Sequence, residues 1–137
     1  MLTKKYLDEL SYEAIGAAIE VHKAVGPGLC ESVYHRCMEH ELSLRNLRFR
    51  SELFVPVEYK GVKLDAELKC DLFLEECLAV ELKSVKTLMP VNEAQLLTYM
   101  SLLNIGKGLL VNFNCTNIFK SGQKTLVNKM YRNLPDQ

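Results

Sequence analysis

Residues 70–83 read CDLFLEECLAVELK, and this stretch decides the fold because it predicts two strands joined by a tight turn. Apolar side chains alternate with polar or small ones on both sides of the turn, which is the pattern of half-buried β-strands. A turn at Glu76 places Asp71 opposite Glu81, since both are equally distant from it in the sequence. Opposed residues in an antiparallel pair share a face, with Cβ atoms about 4.5–5.5 Å apart. The hairpin therefore predicts two neighbouring carboxylates.

Two carboxylates placed in this way repel each other unless a cation lies between them. Mg²⁺ takes oxygen ligands and is typically held by one or two carboxylates together with water and substrate phosphate. Lys83 lies two residues beyond Glu81 and so points to the same face, where its ammonium could polarise a water or stabilise a phosphate. The alternative interpretation is a solvated strand face whose charges only keep the protein soluble.

Helical periodicity precedes the hairpin. Apolar residues from Leu10 to Val25 recur at helical spacing, Ser11 is a candidate N-cap, and the sequence Gly26-Pro27-Gly28 ends this helix. A second helix is predicted over about residues 31–45. Its first residue, Glu31, would be stabilised by the helix dipole and would be free to reach a metal.

The periodicity of β-strands follows the second predicted helix. Residues 53–59 alternate, Lys60-Gly61 indicates a turn, and residues 62–72 alternate strictly, which predicts one continuous strand. The apolar face of this second strand consists of Val62, Leu64, Ala66, Leu68, Cys70 and Leu72. A third strand follows over residues 78–83.

A third helix is predicted over about residues 91–103, after Pro90, with Gly106 as its stop signal. Gln95 and Tyr99 are four residues apart and so lie on one side of this helix, suited to positioning a phosphate or nucleotide. Residues 107–113 read as a buried strand, whereas residues 123–131 are compatible with a strand or a short helix. The order α-α-β-β-β-α-β predicts an α/β or α+β fold with a mixed sheet.

The composition is that of one ordinary globular domain spanning residues 1–137, with 17 basic and 17 acidic side chains. The first 13 residues lack the apolar segment of a signal peptide, and no apolar run is long enough to span a bilayer. Five cysteines without a Cys-x-x-Cys motif favour free thiols in a reducing cytoplasm. The spacing of these cysteines also argues against a structural zinc site, which needs pairs of closely spaced ligands.

The balanced charge hides an asymmetry along the chain. Residues 1–82 contain 10 basic and 15 acidic side chains, whereas residues 83–137 contain 7 basic and 2 acidic ones. Neutrality excludes a binder held to nucleic acid by bulk charge alone. It is compatible with an acidic metal site beside a basic face.

These motifs together resemble the PD-(D/E)XK nuclease superfamily, and within it the small family named for a GxxExxY signature. That signature is complete in residues 28–34, GLCESVY. The superfamily core resembles Asp71 followed by Glu81-Leu82-Lys83, and a Gln-x-x-x-Tyr motif spans residues 95–99. The likeness covers about residues 13–114, including a closing strand at residues 108–114. It implies a mixed central sheet flanked by helices.

The resemblance also implies the roles of individual residues. Asp71 and Glu81 would ligate Mg²⁺ or Mn²⁺, with the main-chain carbonyl of Leu82 as a third ligand. Glu31 would complete or orient the site. Lys83 would help to activate the attacking water or to stabilise charge in the transition state.

In the same resemblance, Gln95 and Tyr99 would position the nucleic acid or the nucleophile. One departure is that Cys70, and not a proline, precedes Asp71. The implied activity is metal-dependent phosphodiester hydrolysis of nucleic acid, with DNA favoured over RNA and with a homodimer or partner protein as a source of specificity. The alternatives are a catalytically inactive nucleic-acid-binding or scaffolding module and a structural partner in a larger complex.

Overall fold

The computed structural model describes residues 1–64 and 67–137. The helices are α1 (Lys4–Val25), α2 (Glu31–Leu44), α3 (Pro90–Leu102) and α4 (Lys129–Arg132), with a π-helical turn at Ile118–Gly122. The strands are β1 (Phe49–Phe54), β2 (Val57–Tyr59), β3 (Val62–Leu64), β4 (Lys69–Leu74), β5 (Leu78–Lys83), β6 (Lys107–Asn112) and β7 (Gln123–Val127).

Five of these strands form one mixed sheet in the order β1-β4-β5-β6-β7. The pair β5 and β6 is parallel and is connected through α3, whereas the other neighbours in this sheet are antiparallel. Helices α1 and α2 cover one face, where Leu78, Val80 and Leu82 are buried. Helix α3 packs on the other face, against Ala79 and Leu110. The predicted fold class, a mixed sheet flanked by helices, is confirmed.

The hairpin of β4 and β5 has the predicted register. Leu72 lies opposite Val80, and Leu74 lies opposite Leu78, so three residues, 75–77, connect the paired positions. Glu75 and Glu76 have positive φ, 49° and 59°, and the amide of Cys77 closes the turn by donating to the carbonyl of Leu74 at 3.0 Å. This turn fixes which residues of the two strands face each other.

The start of α1 differs from the prediction. The helix begins at Lys4, and the hydroxyl of Thr3 caps it by accepting a hydrogen bond from the amide of Tyr6 at 3.1 Å. Ser11 lies buried inside the helix and donates to the carbonyl of Asp8 at 3.0 Å. The prediction of Ser11 as the N-cap was therefore wrong, because the hydroxyl of a serine within a helix can donate a hydrogen bond to a carbonyl of the preceding turn.

The two strands predicted over residues 53–59 and 62–72 are interrupted. Pro56 separates β1 from β2, as expected of a residue that has no amide donor for a ladder. Strands β2 and β3 pair only with each other, and their apolar residues Tyr59, Val62 and Leu64 are exposed. The prediction of one continuous strand over residues 62–72 was therefore wrong, because the side chains become buried again only in β4. Asp65 and Ala66 lie outside the described residues.

The chain after α3 also differs in detail. Helix α3 ends at Leu102, and Asn104 rather than Gly106 takes the left-handed conformation, with φ of 61°. Gly106 serves close packing instead, because a Cβ on it would lie 2.6 Å from the amide nitrogen of Tyr131. The C-terminal segment contains both alternatives, strand β7 followed by helix α4.

The five cysteines are free thiols. Burial raises the pKa of Cys70 to about 12 and that of Cys77 to about 11, so both are inert apolar packing groups. Among the described residues, no helix is both long and apolar enough to cross a membrane.

Candidate active site

The β4–β5 ladder opens where the two candidate acids meet. Asp71 and Glu81 are next in register after the pair Leu72 and Val80. At this position the amide of Asp71 donates to Oε1 of Glu81 at 3.2 Å, and the amide of Leu82 donates to Oδ2 of Asp71 at 2.8 Å. Side-chain carboxylates thus accept hydrogen bonds from main-chain amides across the gap.

The neighbouring strand is distorted at the same level. The β1–β4 pairs Ser51–Leu72 and Leu53–Cys70 flank a position where Glu52 faces Asp71. Glu52 has φ of 50°, a left-handed conformation that costs free energy in a residue other than glycine. Strained backbone of this kind is concentrated at functional sites, so the gap at Asp71 is a functional-site candidate on geometry alone.

Glu81 is buried, with only 4% of its surface exposed. Burial, followed by the negative charge of Asp71, raises the pKa of Glu81 to about 8, and the ammonium of Lys83 acts weakly in the opposite direction. Glu81 therefore holds a proton at neutral pH unless a cation lies between the two carboxylates. A divalent cation would remove the repulsion between these two carboxylates.

A hard cation needs several oxygen donors. Among residues 1–64 and 67–137, no three His, Cys, Asp or Glu side chains converge to hold a metal. Asp71 and Glu81 provide two carboxylates. The carbonyl of Leu82 projects from the same strand edge as its amide, which already bonds Asp71. Two carboxylates and one carbonyl, completed by water, fit Mg²⁺ or Mn²⁺.

A cavity of about 360 Å³ leads to this gap from the side of α2. Glu31, Asp71 and Leu82 line it together. Three of the predicted metal-site residues are thus brought to one place, although they belong to a helix and two strands. Their function stays a prediction.

The loop before α2 is anchored by Tyr34. Its buried ring stacks on Phe113 with centroids 4.3 Å apart. Its hydroxyl donates to the carbonyl of Gly26 at 2.5 Å and accepts from the amide of Leu29 at 3.2 Å. This anchor fixes the chain that leads into Glu31. The tyrosine of the GxxExxY signature therefore has a structural task in this chain.

The remaining predicted residues lie at the end of β5 and on α3. Lys83 is half-buried, and its carbonyl accepts from the amide of Phe113 at 2.9 Å. Tyr99 is 5% exposed; burial, followed by the charge of Glu81, raises its pKa. Gln95 lies one turn earlier and is exposed. Tyr99 thus lies near Glu81 on the α3 face of the sheet, whereas Glu31 lines the cavity with Asp71 on the side of α2.

Other residues of the cavity were not predicted from the sequence. His35 and Ser51 line it and are joined by a bond of 2.6 Å between Nε2 and Oγ. Arg36 and Glu52 line it as well. A signal existed for His35, because it follows Glu31 by four residues and therefore lies on the same side of α2.

Asn112 was also missed. It is buried at the end of β6, where Oδ1 accepts from the amide of Val85 at 3.0 Å and Nδ2 donates to the carbonyl of Val85 at 2.9 Å. These bonds fix the segment that follows Lys83. The signal was a single polar residue inside the apolar run of residues 109–113.

The family comparison agrees with this geometry. A family model described as the PD-(D/E)XK nuclease superfamily matches residues 8–125. The chain therefore belongs to the PD-(D/E)XK nuclease superfamily. No curated protein and no solved structure gave a significant match.

Proposed function

We propose that this protein is a divalent-metal-dependent nuclease that hydrolyses phosphodiester bonds, with DNA as the favoured substrate. The observation that carries the proposal is the opened ladder at Asp71 and Glu81, where the half-buried Asp71 lines a cavity and meets the buried Glu81. A solvated strand face has no need to bury a carboxylate against another one. Membership of a nuclease superfamily supports the same reaction class.

In this proposal, Asp71, Glu81 and the carbonyl of Leu82 hold Mg²⁺ or Mn²⁺. When bound, the cation lowers the pKa of a coordinated water and neutralises charge on the phosphate. Glu31 orients the site from α2, and Tyr34 holds the loop that positions it.

The other residues act on the reacting groups. Lys83 orients the attacking water by a hydrogen bond from its ammonium and stabilises charge on the phosphoryl oxygens. Water attacks phosphorus, the bond to the leaving oxygen breaks, and that oxygen takes up a proton. Tyr99 and Gln95 position the nucleic acid from α3.

The complete GLCESVY signature at residues 28–34 supports placement in the GxxExxY family. We further infer that the protein acts in a reducing cytoplasm, since its five cysteines are free thiols. We also infer that a second copy of the chain or a partner protein contributes to specificity.

The test is cleavage of end-labelled single- and double-stranded DNA and RNA by the purified protein with Mg²⁺ or Mn²⁺. Asp71→Ala and Lys83→Ala should abolish cleavage, whereas Lys86→Ala, an exposed lysine three residues further on, should retain it. Equal trace activity in wild type and Lys83→Ala across all substrates would refute the nuclease proposal. Retained binding without cleavage would favour the binding or scaffolding module.

A further inference from the structure

Two exposed aromatic rings are each accompanied by a lysine. Phe54 ends β1 and Tyr59 ends β2, and each is 62% exposed. The ammonium of Lys69 lies 5.2 Å from the centroid of the Phe54 ring, and that of Lys60 lies 5.3 Å from the centroid of the Tyr59 ring. Both distances are within the range of cation–π attraction.

The Phe54–Lys69 pair adjoins the candidate site. Phe54 lies opposite Lys69 in the β1–β4 register. Lys69 precedes Asp71 by two residues on β4, and Phe54 follows Glu52 by two residues on β1. Residues two apart on a strand lie about 7 Å apart along it. A ring and an ammonium are thus placed within one nucleotide's reach of the gap at Asp71.

The pairing of a ring with a lysine indicates the chemistry of the ligand. An aromatic face left in water gains free energy when a planar apolar group stacks on it, and every nucleobase has such a face. The adjacent ammonium complements the phosphate that follows the base. A base can stack in this way only when it is free of its own duplex. An apolar protein partner would offer no negative charge to the ammonium groups of Lys60 and Lys69.

We propose that Phe54 and Lys69 form a base-stacking platform for single-stranded nucleic acid beside the Asp71 gap. The platform deepens the proposed nuclease function, on which it rests, by naming the substrate as an unpaired strand. Because stacking tolerates every base, the platform confers strand preference without sequence preference.

Intrinsic fluorescence provides a direct test, because the chain contains no tryptophan. Phe54→Trp introduces a single reporter at the platform, and Tyr12→Trp introduces a matched reporter at a 71% exposed position on α1. Oligo-dT or oligo-rU, added without divalent metal, should quench the tryptophan at position 54 and leave that at position 12 unchanged. Equal quenching at both positions, or none at position 54, overturns the platform.

Affinity gives the second measurement. Phe54→Ala should weaken binding of labelled oligo-dT by roughly fivefold or more, as expected for the loss of one stacked base, whereas Tyr12→Ala should leave it unchanged. A smaller loss for Phe54→Ala overturns the proposal, as does binding of the matched duplex in preference to the single strand. So does a change in sedimentation of the free protein on Phe54→Ala, which would identify a contact between two copies.

The two proposals fail in different ways. Fluorescence and affinity need no turnover, so they report on the platform even if the protein cleaves nothing. Cleavage of single strands with unchanged apparent KM in Phe54→Ala would refute the platform and retain the nuclease. Quenching at position 54 without cleavage by the wild type would retain the platform and refute the nuclease.

Discussion

The main-chain amide of Leu82 donates a hydrogen bond to the carboxylate of Asp71 over 2.8 Å, in the gap where the β4–β5 ladder opens. Asp71 is therefore both a structural acceptor and a candidate metal ligand. The two roles are separable, because an asparagine keeps an oxygen acceptor and loses the charge.

We predict that Asp71→Asn abolishes metal-dependent cleavage while keeping the fold nearly as stable as wild type. Asp71→Ala should abolish cleavage as well, and should cost about 1–3 kcal/mol more in free energy of unfolding because the Leu82 amide loses its acceptor. Urea denaturation and a cleavage assay on the same preparations measure both effects. Equal stability of the two variants would show that the Leu82 bond contributes nothing.

Glu81 gives the fold a pH dependence. Its folded-state pKa is raised to about 8 from an ordinary value of 4.5, so the folded protein holds a proton there that the unfolded chain has released. The stability that the Glu81 proton contributes is therefore fully present below pH 4.5 and is lost as the pH rises through 8.

We predict that Glu81→Gln makes the metal-free protein more stable at pH 8 by roughly 1–3 kcal/mol, with the difference shrinking as the pH falls toward 4.5. Denaturation in EDTA across this range measures it. Glu20→Gln, which changes an exposed carboxylate on α1, is the matched control. A constant difference between Glu81→Gln and wild type at all pH values would contradict the assignment.

A divalent cation should reverse this order of stability. A ligand that binds only the folded state stabilises it by about 2.7 kcal/mol at a hundredfold excess over its Kd. Mg²⁺ or Mn²⁺ at pH 8 should therefore raise the melting temperature of the wild type and leave Glu81→Gln unchanged. The measurement is thermal unfolding with and without metal. An equal rise in both proteins would locate the bound metal elsewhere.

The sequence could predict the meeting of Asp71 and Glu81 because a hairpin's register depends on its turn, and Glu75-Glu76 lies within the segment itself. The opening of the ladder could not be predicted. It depends on carboxylates competing with main-chain carbonyls for the amides of Asp71 and Leu82. Such competition is settled by three-dimensional geometry, and alternation of side chains carries no information about it.

The same distinction explains the misplaced strands. The alternation over residues 62–72 shows which side chains share a face of the strand. This pattern is the same whether the strand is buried or projects into solvent. Strands β2 and β3 keep the pattern but pair only with each other. The role of Tyr34 was equally hidden, because its ring stacks on Phe113, which is distant in sequence.

The Tyr34 anchor leads to a prediction about the loop at residues 26–29. Tyr34→Phe keeps the stacked ring but removes the hydroxyl that bonds Gly26 and Leu29. We expect a loss of about 1 kcal/mol in free energy of unfolding, since two part-buried main-chain groups lose a partner. Cleavage should fall as well, because Glu31 follows this loop. Tyr12→Phe, at an exposed position, should change neither quantity.

The C-terminal helix is joined to α1 through a buried charge. The ammonium of Lys107 is buried on β6 and pairs with the carboxylate of Asp8, which also accepts from the hydroxyl of Tyr131 at 2.7 Å. The pKa of Asp8 is lowered: burial opposes the shift, but the hydrogen bonds from Lys107 and Tyr131 outweigh it. The stability contributed by Asp8 is thus present at neutral pH and is lost as the pH falls through its lowered folded-state pKa.

We predict that Asp8→Asn costs about 1–3 kcal/mol at pH 7, because it leaves the Lys107 ammonium buried without a counter-charge while Asp8 itself is half-exposed and partly screened. The cost should shrink in acid, where the wild type loses the same charge. Glu9→Gln, which alters an exposed carboxylate beside Asp8, is the control and should cost little. Urea denaturation at several pH values measures both variants, and a pH-independent cost would show that packing rather than charge joins α4 to α1.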